Sequence, residues 1–183
     1  FYQHEGVDSR SYIRVFLRTI LGGDQSGGGG STLSQQLVKN LYGREKHGLL
    51  TLPVNKIKEA LVAARLEQVY DKNDVLTLYL NSVPFGEDLY GVEAAARRYF
   101  NKPAQRLKVE EAAVLVGMLK ANTSYNPRLN PERSRERRNL VLRLMATRGH
   151  LTAAEVDSLQ LLPLTIDYRG RDALDLYGYF TER

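Results

Sequence analysis

The chain has 183 residues, 43% hydrophobic and 26% charged, a composition that excludes a disordered or collagen-like polypeptide and a length that suits one domain. Its 26 Lys and Arg against 21 Asp and Glu give a net charge of +5, enough to attract nucleic acid, phosphorylated ligands or acidic headgroups without choosing among them. The absence of cysteine excludes a disulfide framework, a thiolate metal site and a cysteine nucleophile.

No stretch approaches the roughly 20 apolar residues that cross a bilayer, and no signal-peptide pattern opens the sequence, so any membrane anchor is expected outside it. The first residues, Phe1-Tyr2-Gln3-His4-Glu5-Gly6, start without Met in aromatic material; both ends are expected to be cuts through a longer protein.

In chain order, Ile13, Phe16, Leu17, Ile20 and Leu21 recur at helical spacing and predict a first helix over residues 8–21, with Asp8 or Ser9 as N-cap. Arg10, Arg14 and Arg18 form a cationic stripe on its other face, either a solvated face or a contact for lipid headgroups. Residues 22–30 end in four consecutive glycines, which cannot hold regular structure without a large entropic cost. They predict a mobile loop, either a linker or a flap over a site.

Thr32 and Gln35 then have capping-box spacing, and Leu33, Leu37 and Leu41 share a helical face. After a poorly patterned connection, Pro53 opens a long helix predicted to run through Tyr70. Further helices are predicted at 74–81, capped by Asn73 or Asp71, then at 91–100, 109–120, 131–148 and 152–161, the last two signed by Asn130-Pro131 and by a Thr152–Glu155 box. Only residues 164–168 hint at strand alternation. The fold class is therefore mainly α, without a repeat of fixed period.

Three groups of residues invite chemistry. A glycine loop running into a capped helix exposes amide N–H groups toward a phosphate, though no nucleotide P-loop or dinucleotide fingerprint is present. Gln35 and Lys39, at i and i+4 with Gln36 beside them, offer amide groups to sugar hydroxyls and a point charge to phosphate, or simply a polar outer face. Lys56 and Glu59 stand at i and i+3 with Lys58 between them; alone, they would be a surface ion pair of a few tenths of a kcal/mol.

Taken together, Phe1-Tyr2-Gln3-His4-Glu5-Gly6-Val7-Asp8, Gly29-Gly30-Ser31-Thr32-Leu33-Ser34-Gln35-Gln36-Leu37-Val38-Lys39-Asn40 and Lys56-Ile57-Lys58-Glu59 follow the order and approximate spacing of glycosyltransferase family 51. Leu78-Tyr79-Leu80-Asn81, Phe85-Gly86, Gly91-Val92-Glu93-Ala94-Ala95-Ala96-Arg97-Arg98-Tyr99-Phe100, Glu110-Glu111-Ala112-Ala113, Tyr125-Asn126-Pro127 and Arg137-Arg138-Asn139-Leu140-Val141-Leu142 are similar to its later motifs. The chain thus resembles, over nearly its whole length, the peptidoglycan glycosyltransferase module of bifunctional class A penicillin-binding proteins.

The resemblance implies a lysozyme-like helical fold with a large lobe and a smaller membrane-facing lobe, residues 1–163 forming the domain and 164–183 the linker toward a transpeptidase domain. It implies polymerisation of lipid II in bacterial cell-wall synthesis, on the periplasmic side of the inner membrane and anchored by a transmembrane helix outside this sequence. The 4-hydroxyl of an acceptor lipid II attacks the anomeric carbon of the growing glycan, and undecaprenyl diphosphate leaves with inversion. Such chemistry calls for a carboxylate base and for cations around the leaving diphosphate.

Carried over residue by residue, the resemblance makes Glu59 catalytic, with an electrostatic role near the diphosphate. Lys39 and Lys58 become phosphate-binding residues, and Ser31, Thr32, Gln35, Gln36 and Lys56 contact substrate. His4 becomes structural support. It implies no tightly bound cofactor while admitting a divalent cation, Mg or Mn. Its partners are lipid II, the growing glycan chain, the membrane surface, moenomycin-type phosphoglycolipid inhibitors and other cell-wall synthesis proteins.

Two departures stand out. The family's general base, a Glu in a Glu-Asp pair, falls before Phe1, and Glu5 does not replace it; a chain starting at Phe1 is expected to be inactive. Asn55 occupies the place of a common Arg, with Arg44 the other source of charge. A helical nucleic-acid-binding module, suggested by Arg133, Arg135, Arg137, Arg138 and Arg143, leaves the glycine-loop block without a purpose, so nucleic acid is not an expected partner. A catalytically silent scaffold retaining the substrate contacts is the third reading.

Overall fold

A computed structural model describes residues 31–43 and 51–170. The predicted helix at 8–21, the glycine loop, His4, Arg44 and the end of the expected linker lie outside the described residues. Seven α-helices and one 3-10 turn occur among them: α1 (Leu33–Tyr42), α2 (Thr51–Val69), α3 (Lys72–Ser82), α4 (Val92–Phe100), the turn Ala104–Arg106, α5 (Val109–Met118), α6 (Pro131–Thr147) and α7 (Ala153–Leu161). No strand is found among the described residues, as the mainly α reading expects.

The helix starts follow local chemistry. Asp71, rather than Asn73, caps α3, its Oδ1 accepting the N–H groups of Asn73 and Asp74 at 2.8 Å each. Thr152 and Glu155 close the capping box of α7. α2 begins at Thr51, two residues before the predicted start. Pro53 is tolerated there because the N–H groups of a first turn have no intrahelical partner.

The chain divides into two units, Phe1–Val83 and Pro84–Arg183. In the first, α1 packs on both α2 and α3, burying Leu37 and Val38 from α1, Ala63 from α2, and Val75 and Tyr79 from α3. Burial of such side chains stabilises by about 25 cal/mol per Å² of apolar surface removed from water, and here it clamps α1 across its two neighbours. In the second, Ala113, Val141, Leu142 and Val156 form a core lined by Met145, Ala146, Leu151 and Leu159, joining α5, α6 and α7.

Residues 164–168, the one hint of a strand, are an extended segment. Asp167 and Arg169 donate their N–H groups to the carbonyls of Tyr99 and Arg98 at 3.0 and 2.8 Å. The alternation is thus satisfied against the end of a helix rather than a neighbouring strand. The beginning of the expected linker is hydrogen-bonded into the second unit. On α6, Arg138 is buried and donates to the carbonyls of Gln160, Leu162 and Pro163, while Arg137 stacks its guanidinium 5.5 Å from the Tyr125 ring centroid.

Candidate active site

The site is built in the first unit, where the start of α1 meets α2. Thr32 is the N-cap of α1: its Oγ1 accepts from the Gln35 N–H at 3.3 Å while the Gln35 Oε1 accepts from the Thr32 N–H at 3.3 Å. This reciprocal box satisfies two of the donors a helix start leaves open. It also turns Gln35 inward, only 1% exposed, so Gln35 and Lys39 do not form the shared outer face that their spacing suggested. Gln36 and Lys39 are exposed and Ser31 half-buried.

From α2, Lys56 reaches across. Its Nζ donates to Ser31 Oγ at 2.7 Å and to Glu59 Oε2 at 2.7 Å. Glu59 is 3% exposed, which changes the meaning of the pair: a carboxylate so buried must be held by cations and donors, unlike a surface ion pair. Lys58 is exposed one residue before Glu59. Lys39 makes no hydrogen bond or ion pair to the Lys56–Glu59 pair among the described residues. Asn55 is buried and donates its side-chain amide to the Thr51 carbonyl at 2.7 Å.

The structure therefore brings Ser31, Lys56 and Glu59 into direct contact, places Thr32 and Gln35 in the turn that presents Ser31, and sets Gln36, Lys39 and Lys58 on exposed positions of the same two helices. Gln36 is itself held: its Nε2 donates to the Ser31 carbonyl at 3.5 Å, and its Oε1 accepts the Tyr79 hydroxyl at 3.3 Å. Burial raises the Tyr79 pKa above its ordinary value, which keeps the phenol a donor.

Sequence reasoning missed Ser34, Glu67, Lys72 and Tyr79. The Glu67 carboxylate accepts the Ser34 hydroxyl on one oxygen and the Lys72 ammonium on the other. Ser34 lies inside the glycine-serine-threonine block, so its place there was the available signal; its partner 33 residues away was not legible.

Chemically, the cluster offers a buried carboxylate with an ammonium on one oxygen, a hydroxyl beside that ammonium, and further lysines on the flanking surface. It can stabilise negative charge developing on a ligand. Glu59 already carries Lys56, and no group of three or more His, Cys, Asp or Glu side chains that could hold a metal ion occurs among the described residues.

A family model described as transglycosylase matches residues 1–146. The chain is 40% identical over 160 residues to penicillin-binding protein 1F of Bacillus subtilis, covering 87% of this chain and 22% of that protein. It is 40% identical over 166 residues to penicillin-binding protein 1A of Aquifex aeolicus, covering 91% and 22%. With penicillin-binding protein 1A of Escherichia coli it shares 35% identity over 182 residues, covering 100% and 21%. The chain thus spans about a fifth of the length of these relatives. Among solved structures it is similar to penicillin-binding protein 1A of Haemophilus influenzae, with a TM-score of 0.52 and 37% identity, over 55% of this chain and 15% of that one. This likeness agrees with the lysozyme-like helical fold expected from the sequence.

Proposed function

The chain belongs to the transglycosylase family, and on that premise we propose that it is a peptidoglycan glycosyltransferase module, polymerising lipid II into glycan strands for the cell wall. The observation that carries this reading is Lys56, whose ammonium bridges Ser31 at the mouth of the glycine-loop block and the buried Glu59. An ion pair at i and i+3 has no need of burial to exist; sunk at the foot of a capped helix, it serves a charged ligand.

In the proposed reaction the acceptor 4-hydroxyl forms a bond to the anomeric carbon of the growing chain as the bond to the diphosphate breaks. The bonding pair leaves on the diphosphate, and the hydroxyl proton passes to a carboxylate acting as general base. Lys39, Lys56 and Lys58 meet the charge that accumulates on the departing diphosphate. Glu59 holds Lys56 in place and opposes the positive charge at the anomeric centre. Thr32 and Gln35 fix the turn, while Ser31 and Gln36 present polar groups to the substrate.

The whole protein is proposed to work at the extracytoplasmic face of a bacterial inner membrane beside a transpeptidase domain and other cell-wall proteins. No helix among the described residues is long and apolar enough to cross a membrane. The activity is proposed for the full-length protein.

The test is polymerisation of purified lipid II by the full-length protein. Glu59→Gln is expected to lower turnover by about 100- to 1,000-fold, the range for loss of one preorganised electrostatic group. Near-normal turnover in that variant removes Glu59 from the mechanism. Calorimetric titration with a moenomycin-type phosphoglycolipid is expected to show binding; a folded protein that takes none up contradicts the assignment.

A further inference from the structure

Glu67 follows Glu59 by eight residues on α2, about 12 Å along the helix axis and about 80° around it. Its side chain is 4% exposed and divides its two oxygens between the Ser34 hydroxyl of α1 and the Lys72 ammonium at the first residue of α3. Ser34 is fully buried, where a hydroxyl must find a partner, and Glu67 is that partner. One carboxylate thus ties together the three described helices of the first unit, outside the contacts that face substrate in the proposed reaction.

Stability alone is a poor reason for this arrangement. A buried carboxylate paired with a partly exposed ammonium contributes little net free energy compared with apolar side chains of similar volume, because the pair must be largely desolvated. What they supply is direction. Apolar helix faces tolerate small slides and rotations, whereas a hydroxyl meets a fixed carboxylate oxygen at one setting of the helix. Ser34 lies in the first turn of α1, beside the Thr32–Gln35 box, three residues after Ser31 and two before Gln36. A rotation of that turn would move Ser31 off Lys56 and Gln36 off Tyr79 together.

We infer that Glu67 is a positioning residue: through Ser34 it sets the rotation and axial register of α1 on α2, and so holds Ser31 against the Lys56–Glu59 pair. This rests on the reading of that pair as the catalytic cluster. Glu67 acts through Ser34 and not on substrate, so its loss misaligns groups that are all still present. The effect falls on kcat and not on KM, since a displacement of about 1 Å costs on the order of 100-fold in rate.

The experiment compares Ser34→Ala, Glu67→Gln/Lys72→Met and Glu59→Gln in the full-length protein, by lipid II polymerisation kinetics and by amide exchange of residues 33–37 against residues 141–145. Ser34→Ala is expected to lower kcat by about 10- to 100-fold with KM changed less than about twofold. Exchange should quicken at 33–37 and stay unchanged at 141–145. Glu67→Gln/Lys72→Met keeps an acceptor for the Ser34 hydroxyl while removing both charges, and is expected to hold kcat within about threefold of wild type.

Wild-type kcat in Ser34→Ala, or a loss in the double variant as large as in Ser34→Ala, overturns the inference. So does a loss that merely tracks global unfolding. If Glu59→Gln abolishes turnover while Ser34→Ala keeps it, the inference alone fails. If the wild type itself does not polymerise lipid II, the reading of the site fails and carries the positioning role of Glu67 down with it.

Discussion

Tyr168 donates its hydroxyl to Glu87 Oε2 at 2.6 Å, joining the extended segment after α7 to a loop 81 residues earlier. The other Glu87 oxygen accepts Arg128 Nε at 2.9 Å and Asn126 Nδ2 at 3.1 Å, and Arg128 lies 5.0 Å from the Tyr168 ring centroid. Burial by itself would raise the Glu87 pKa, but the hydrogen bonds from Tyr168, Arg128 and Asn126 outweigh it and hold the carboxyl below its ordinary value.

The consequence for stability has a definite sign. A carboxyl with a depressed folded pKa contributes stability that is fully present above its unfolded value, 4.5, and is lost as pH falls through the folded one. The melting temperature of the wild type should therefore decline on acidification below about pH 4.5, and Glu87→Gln should remove part of that slope while lowering stability at neutral pH. Thermal melts from pH 7 to pH 3 decide it. An unchanged acid slope in Glu87→Gln would deny the network this role.

These long-range ties mark the boundary of what was legible. Thr32–Gln35, Asp71 and Thr152–Glu155 could be read because a cap acts over two or three residues. The Lys56–Glu59 spacing was equally visible, but spacing alone gave only a surface ion pair; the resemblance gave Glu59 its role, and its burial, with α1 packed on α2, was legible only in the structure. Ser34–Glu67 and Tyr168–Glu87 are separated by 33 and 81 residues, and nothing periodic announces such pairs. The burial of Arg138 was not legible either, because composition cannot tell a charge facing water from one facing the carbonyls at a helix end.

Gly86 has φ +79°, and a Cβ added there would sit 3.4 Å from the Asn122 carbonyl oxygen. The next two residues, Glu87 and Asp88, also have positive φ, 54° and 59°, so this turn presents Glu87 through three left-handed positions in a row. Gly86→Ala is expected to cost about 1–2 kcal/mol, the penalty for a Cβ in that region, and Gly86→Asn less. Chemical denaturation measures both, and an alanine variant as stable as wild type would show that the turn relaxes freely.

Arg138, 1% exposed, donates to the carbonyls of Gln160, Leu162 and Pro163 at 3.2, 2.9 and 3.4 Å. Three carbonyls at the exit of α7 thus share one guanidinium, whose planar fork a point charge cannot copy. Burial lowers the Arg138 pKa from its ordinary value. Arg138→Met should destabilise by about 1–3 kcal/mol, the usual penalty when buried acceptors lose a donor, and Arg138→Lys should recover little of it. Exchange should quicken for the amides of Asp167 and Arg169, because the segment they belong to loses its first anchor. Full recovery by lysine would reduce the role to charge alone.

Lys56 stands between two acceptors, Ser31 Oγ and Glu59 Oε2, each at 2.7 Å, and the two contacts are not equal. Glu59 stays buried when Lys56 is removed and loses a cationic donor there, whereas Ser31 is half-buried and can turn toward water. Lys56→Ala should therefore cost about 1–3 kcal/mol of stability, and Ser31→Ala less than about 1 kcal/mol. In a double-mutant cycle, Lys56 and Glu59 should couple by about 0.5–3 kcal/mol. Urea denaturation of the four proteins in the cycle measures that coupling directly. A coupling indistinguishable from zero would return the pair to an ordinary surface contact and take away the geometric basis of the proposed site.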